Sequence, residues 1–153
     1  MLIDDVQQAM FAAMKARRSD ETGALRLALN ALRTATKEAG RDLRGDEAVR
    51  VLQHEVKNRR QAEQVYRDAG RADRADQEAF QAEVLERFLP APLKPAELAR
   101  LVDEAIAASG ASSPRELGKV MGRVMPAVRG RADGNRVRQL VLEIGRASCR
   151  ERV

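Results

Sequence analysis

Pro90-Ala91-Pro92-Leu93-Lys94-Pro95 places three prolines within six residues of a 153-residue chain. Proline lacks a backbone N–H and holds φ near about −65°, so no helix or central strand runs through such a segment. The segment makes a semi-stiff, extended connection that divides the chain. A chain near this length buries roughly 70% of its unfolded surface. That is enough for one ordinary domain or two small ones, without disulfide or metal. The expected organisation is a helical bundle over residues 1–90, a proline-rich linker at 91–94 and a small basic domain at 95–142.

Composition sets the fold class. Aromatic residues are 3% of the chain, Trp is absent, and the 44% hydrophobic content leans on Ala, Leu and Val. Ala, Leu, Arg, Glu and Gln favour helices, while the aromatic strand formers are scarce. An all-α protein follows: an antiparallel N-terminal bundle, then three shorter helices.

The periodicity agrees. Ile3, Val6, Met10, Ala13 and Met14 recur at helical spacing over residues 2–18. Ser19-Asp20 offers a cap for a second helix that carries Leu25, Ala28, Leu29, Leu32 and Ala35. Gly40 and Gly45 bracket a turn. A long helix over residues 46–69 turns Val49, Leu52, Val56 and Tyr66 inward and stops at Gly70. A fourth, over 73–89, is marked by Phe80, Val84, Leu85 and Phe88. Beyond the prolines, Leu98, Leu101, Val102 and Ala105 mark one helix. Ser113-Pro114-Arg115-Glu116 opens the next as a capping box with proline at its first position. That helix holds Leu117, Val120, Met121, Val124 and Val128, with Pro126 straining its last turn. The last starts near Asp133 and holds Val137, Leu140 and Val141.

Residues 143–153 break this pattern. From Ile144 onward the segment resembles the translation of a common short-read sequencing adapter, and it is expected to be an assembly scar without structural role. Cys149 then belongs to no site, and without Arg146, Arg150, Arg152 and Glu151 the net charge of +5 falls to +3.

Several function classes find no residues. One Cys and one His make neither a disulfide framework nor a set of soft metal ligands. No apolar stretch approaches the roughly 20 residues of a membrane helix, and the N-terminus carries Asp4 and Asp5 where a signal peptide wants positive charge. The cytoplasm is the simplest compartment, with no membrane partner. There is no phosphate-cradling Gly-x4-Gly-Lys loop, dinucleotide fingerprint or nucleophile elbow. His54 has no nucleophile spaced to pair with it, and pairs such as Glu83 and Glu86 alternate with Arg on a solvated face. No catalytic residue, metal or cofactor is expected.

Charge is unevenly placed. Residues 1–89 carry sixteen basic and sixteen acidic side chains, whereas residues 119–138 set Lys119, Arg123, Arg129, Arg131, Arg136 and Arg138 against Asp133 alone. Gly118 and Gly122 each cost a helix about 1 kcal/mol relative to Ala, and close approach of another backbone would offset it. Gly130 can end the helix in a left-handed conformation and Asp133 can cap the next. Structure alone explains that arrangement. A second reading is functional: a basic loop feeding a helix N-terminus presents N–H groups and guanidinium forks to a phosphate. The candidate RNA-binding residues are Lys119, Arg123, Arg129, Gly130, Arg131 and Arg136. Lys57, Arg59 and Arg60 form a secondary basic face, which Glu55 and Glu63 are expected to balance. Without aromatics nearby, contact would be to backbone and shape.

The same residues carry a family resemblance. Gly118-Lys119-Val120-Met121-Gly122, Met125 and Arg129-Gly130-Arg131-Ala132-Asp133-Gly134, ending at Val137, resemble the signature of the YqeY family. So do Leu25-Arg26-Leu27, the run from Glu55 to Arg60, Tyr66, Ala69-Gly70-Arg71 and Phe88-Leu89-Pro90. This family is the stand-alone relative of the tail domain of the B subunit (GatB) of the glutamine-dependent aspartyl/glutamyl-tRNA amidotransferase. The resemblance implies a helical bundle followed by a three-helix domain, and a tail that helps hold the tRNA body. It carries a label of carbon–nitrogen ligase activity with glutamine as amido donor. Only the tail-like part has a counterpart here, so the isolated chain is expected to be non-catalytic. The expected partners are tRNA or other structured RNA, with amidotransferase subunits as further candidates. The rival expectation is a protein-interaction adaptor that docks through the three-helix domain.

Overall fold

The computed structural model describes residues 1–151, excepting the side chains of Ser148, Cys149 and Glu151. Among these residues every regular element is helical: seven α-helices and one 3-10 turn. The protein is all-α. It divides into two compact units, Met1–Leu89 and Pro90–Val153.

The first unit contains α1 (Leu2–Lys15), α2 (Ser19–Ala39), α3 (Gly45–Asp68) and α4 (Ala72–Glu86). Val6 and Ala13 of α1, Leu25, Leu29 and Leu32 of α2, Leu52 of α3 and Val84 and Leu85 of α4 share one buried cluster. Each fully buried Val or Leu side chain contributes about 1.5–3 kcal/mol. The cluster ends at Leu52 and Val56 on α3 and begins at Val84 on α4. Farther out, α3 and α4 continue as an antiparallel pair whose fully buried residues are the alanines Ala75 and Ala82.

Three local expectations are corrected. The first helix stops at Lys15 rather than Arg18: Arg17 takes φ 57°, and Arg18 donates its N–H back to Ala13 O at 2.9 Å. Ser19 does not cap α2; it lies inside the helix, and no side chain caps that end. Phe80 is 36% exposed rather than an inward residue of α4.

The second unit contains α5 (Pro95–Ser109), the 3-10 turn Pro114–Glu116, α6 (Leu117–Val128) and α7 (Gly134–Glu151). Leu98, Val102 and Ile106, Val120, Val124 and Val128, and Val137 and Val141 form its core. The proline segment joins this unit. Leu93 packs against the core, and Pro95 is the first residue of α5, where its missing N–H costs nothing.

The capping box at Ser113 is displaced. Ser113 makes no side-chain cap, and the Glu116 carboxylate instead accepts the Ser112 N–H at 2.7 Å. Proline at position 114 starts a 3-10 turn, and α6 begins three residues later. The last helix runs past position 142, where the sequence expects its end. Ile144 packs against the core, because it follows Val137, Leu140 and Val141 on the inward stripe. The expectation for Cys149 concerns a side chain outside the described residues, as does everything at 152–153.

Candidate nucleic-acid interface

Helix α6 buries Val120, Val124 and Val128 at four-residue spacing, which turns its opposite face to solvent. Lys119 and Arg123 lie there, with Arg115 four residues before Lys119. Lys119 Nζ sits 3.1 Å from Glu116 Oε1, but its side chain is 66% exposed, so the pair contributes little and the ammonium stays reachable. The Ser112 N–H, and then Lys119, hold Glu116 below the usual carboxylate range. Arg115 and Arg123 form no ion pair among the described residues.

The loop after α6 is built more tightly than a presenting loop. Gly130 adopts φ 80° and is buried, so it shapes the chain rather than meeting a ligand. Arg131 and Ala132 donate their N–H groups to Val128 O at 2.9 and 3.1 Å. The Arg131 guanidinium donates from Nε to Ala91 O at 3.1 Å, and Arg131 O accepts the Leu93 N–H at 2.9 Å. Asp133 Oδ1 accepts the N–H groups of Asn135 (2.7 Å) and Arg136 (3.2 Å) and so caps α7. The expectation that this helix start offers its amides to a phosphate is therefore corrected, because a carboxylate already occupies them. The guanidinium of Arg136 remains exposed and unpaired among the described residues, as does that of Arg138. Arg129 is exposed where the chain leaves α6.

The secondary basic face is largely neutralised. Arg59 lies 3.4 Å from Glu55 and 3.9 Å from Glu78, and its side chain is 22% exposed. Arg60 pairs with Glu63 at 3.0 Å and with Glu86 at 3.0 Å. Glu55 and Glu63 balance this face as their spacing suggests, and α4 adds Glu78 and Glu86. Lys57 is exposed and unpaired among the described residues.

His54 is exposed and lines an open groove with Thr34, Glu38, Arg50 and Glu55. Among the described residues no three His, Cys, Asp or Glu side chains gather as metal ligands, and no helix is long and apolar enough to cross a membrane.

The comparison with known proteins decides the family. The Yqey-like protein family matches residues 3–144. The chain belongs to the YqeY family. An uncharacterized protein of Schizosaccharomyces pombe is 31% identical over 85 residues, which cover 56% of this chain and 69% of that protein.

The stretch that resembles the YqeY signature occupies α6, its following loop and the start of α7. Its paired glycines behave unexpectedly. A Cβ built on Gly118 or Gly122 meets nothing within 4 Å, so among the described residues no other backbone makes the close approach that would offset their cost. Both lie on the exposed face of α6, between Arg115, Lys119 and Arg123. Sequence reasoning left Arg115 and Arg138 out of the candidate set. The four-residue steps from Arg115 to Lys119 to Arg123 were the available signal. For Arg131 the tie to Ala91 had none, since forty residues separate the two.

Proposed function

We propose that the second unit of this YqeY protein is a non-catalytic module that binds tRNA or another structured RNA through phosphate contacts from α6 and α7. The observation that carries this is a set of exposed cations on one small unit, most of them without a carboxylate partner among the described residues. Arg115, Arg123, Arg136 and Arg138 are exposed and unpaired among the described residues, while Lys119 is held only by an exposed pair. A guanidinium fork suits a phosphate and carries no base information, so binding follows backbone and shape. The resemblance to the tRNA-holding tail of GatB supports the same reading. The glycines support it too, because a surface strip lacking side chains lets a partner's backbone approach the flanking cations.

That strip also fits a partner helix, which favours the adaptor reading as a second account. Salt separates them. RNA held by phosphate contacts dissociates steeply as salt rises, whereas apolar docking does not. Gel-shift titration with total tRNA at several salt concentrations tests the proposal. Binding that is absent at low salt, or insensitive to salt, contradicts it.

A further inference from the structure

Beside the loop that joins α6 to α7 lies an open groove of about 320 Å³. Its volume falls at the lower end of the roughly 300–1,000 Å³ usual for small-ligand sites. The walls are Pro92, Leu93, Leu98 and Leu140, and Arg131 and Arg136 stand among the lining residues. We infer that this groove takes a single unstacked nucleotide, its base against the apolar walls and its phosphate on the two guanidinium groups.

Three observations carry the assignment. The first concerns shape. The groove's proline side is rigid: Pro92 and Pro95 fix φ, and Leu93 N–H is bonded to Arg131 O at 2.9 Å, so the wall does not collapse into the space it borders. The second is charge. Arg131 is anchored through Nε to Ala91 O at 3.1 Å, which leaves its two terminal nitrogens with no partner among the described residues. Arg136 is likewise unpaired there. Asp133 also lines the groove, but its Oδ1 accepts two N–H groups at the positive start of α7, which offsets its charge locally. The balance favours an anion. The third is the pairing of the two. A bare anion needs no apolar wall, and an uncharged ring needs no preorganised guanidinium. A phosphorylated base uses both, and RNA recognition reads bases that are splayed out of the stack.

The phosphorylated base can come from free nucleotide or from an exposed nucleotide of RNA. The RNA source rests on the function proposed above; the groove's affinity for a nucleotide does not. Methyl NMR on the full chain tests both. Titration with UMP and AMP is expected to shift the methyl resonances of Leu93, Leu98 and Leu140. Inorganic phosphate and uncharged uridine are expected to shift them at least fivefold less at equal concentration. Arg136→Ala and Leu140→Gln should each reduce the nucleotide response by at least threefold, with unchanged helical circular dichroism showing that the fold holds. Competition of tRNA with UMP for the same methyls identifies RNA as the source, and nucleotide binding unaffected by tRNA identifies free nucleotide. Methyls unmoved by millimolar nucleotide, or moved equally by inorganic phosphate, overturn the inference. If tRNA still binds in that case, the groove assignment fails alone. If tRNA does not bind but nucleotides do, only the RNA proposal fails.

Discussion

Arg131 and Ala91 meet across forty residues of sequence, with Arg131 Nε donating to the Ala91 carbonyl at 3.1 Å. In the reverse direction the Leu93 N–H bonds Arg131 O at 2.9 Å. The proline segment is thereby laid on the second unit instead of hanging free between two domains. Residues 91–94 are expected to resist thermolysin in the intact protein and to become a cleavage site in Arg131→Ala. Equal cleavage of both proteins before Leu93 would show that the strap is open anyway.

The two units have separate cores, so they are expected to melt separately. Leu52 is fully buried in the first and Leu98 nearly so in the second. Leu→Ala at either position should cost about 2–5 kcal/mol. Calorimetry checks the outcome: Leu52→Ala lowers one transition and Leu98→Ala the other. A single transition lowered by both would mean one cooperative domain.

The outer reach of α3 and α4 is held by charge. Glu63 accepts from Arg67 at 2.8 Å and from Arg60 at 3.0 Å, and both guanidinium groups reach across to α4, at Asp76 and Glu86. Arg59 faces Glu78, and Arg71 faces Asp73 at the turn. Hydrogen bonds from Arg67, then Arg60, hold Glu63 below the usual carboxylate range. A depressed carboxylate gives stability that is present above its unfolded pKa, about 4.3, and lost as pH falls through the folded one. Amide protection over residues 60–80 should therefore decline below about pH 4, before that of residues 24–32 in the buried part of α2. High salt should act in the same direction. Hydrogen exchange at matched intrinsic rates reads this, and simultaneous loss in both regions would refute the charge-held arm.

How much of this was legible in the sequence depends on the range of the interaction. Helix type and the buried stripes follow from local spacing, as with Val120, Val124 and Val128. Proline and glycine punctuation was equally local, and Gly130 has the positive φ its place after α6 suggests. The displaced Glu116 cap was half visible: the carboxylate reaches back, but a 3-10 turn moves its partner to Ser112. Partners from distant segments were not visible. Nothing near Arg59 or Arg60 announces Glu78 or Glu86, and nothing near Arg131 announces Ala91. Local charge and loop position suggest the candidate basic set, but neither separates an anchored arginine from a free one.

Gly118 and Gly122 separate stability from binding. Alanine at either position meets no neighbour within 4 Å and should raise stability by up to about 1 kcal/mol in an exposed helix interior. If a partner's backbone lies against this strip, the same changes weaken binding. Higher melting temperature with weaker tRNA binding is the expected pair of results. Unchanged binding would remove the strip from the interface.

Ile144 packs against the second core, whereas residues 145–153 lie beyond the family match. Removing residues 147–153 should leave stability within about 0.5 kcal/mol, as for surface changes generally. Ile144→Asp should lower the melting temperature of the second unit. Strong destabilisation by the deletion would give the final turns a structural role that the adapter resemblance denies.

The salt dependence of tRNA affinity tests the central proposal most directly. Each phosphate contact adds about one unit to the slope of log K against log salt. Arg123→Ala and Arg136→Ala should each weaken binding and lower that slope by about one unit, with helical content intact. Arg59→Ala and Arg60→Ala, which break internal pairs on the first unit, should leave the slope unchanged. A slope unaltered by Arg123→Ala and Arg136→Ala would contradict RNA binding through α6 and α7 and leave the adaptor account standing.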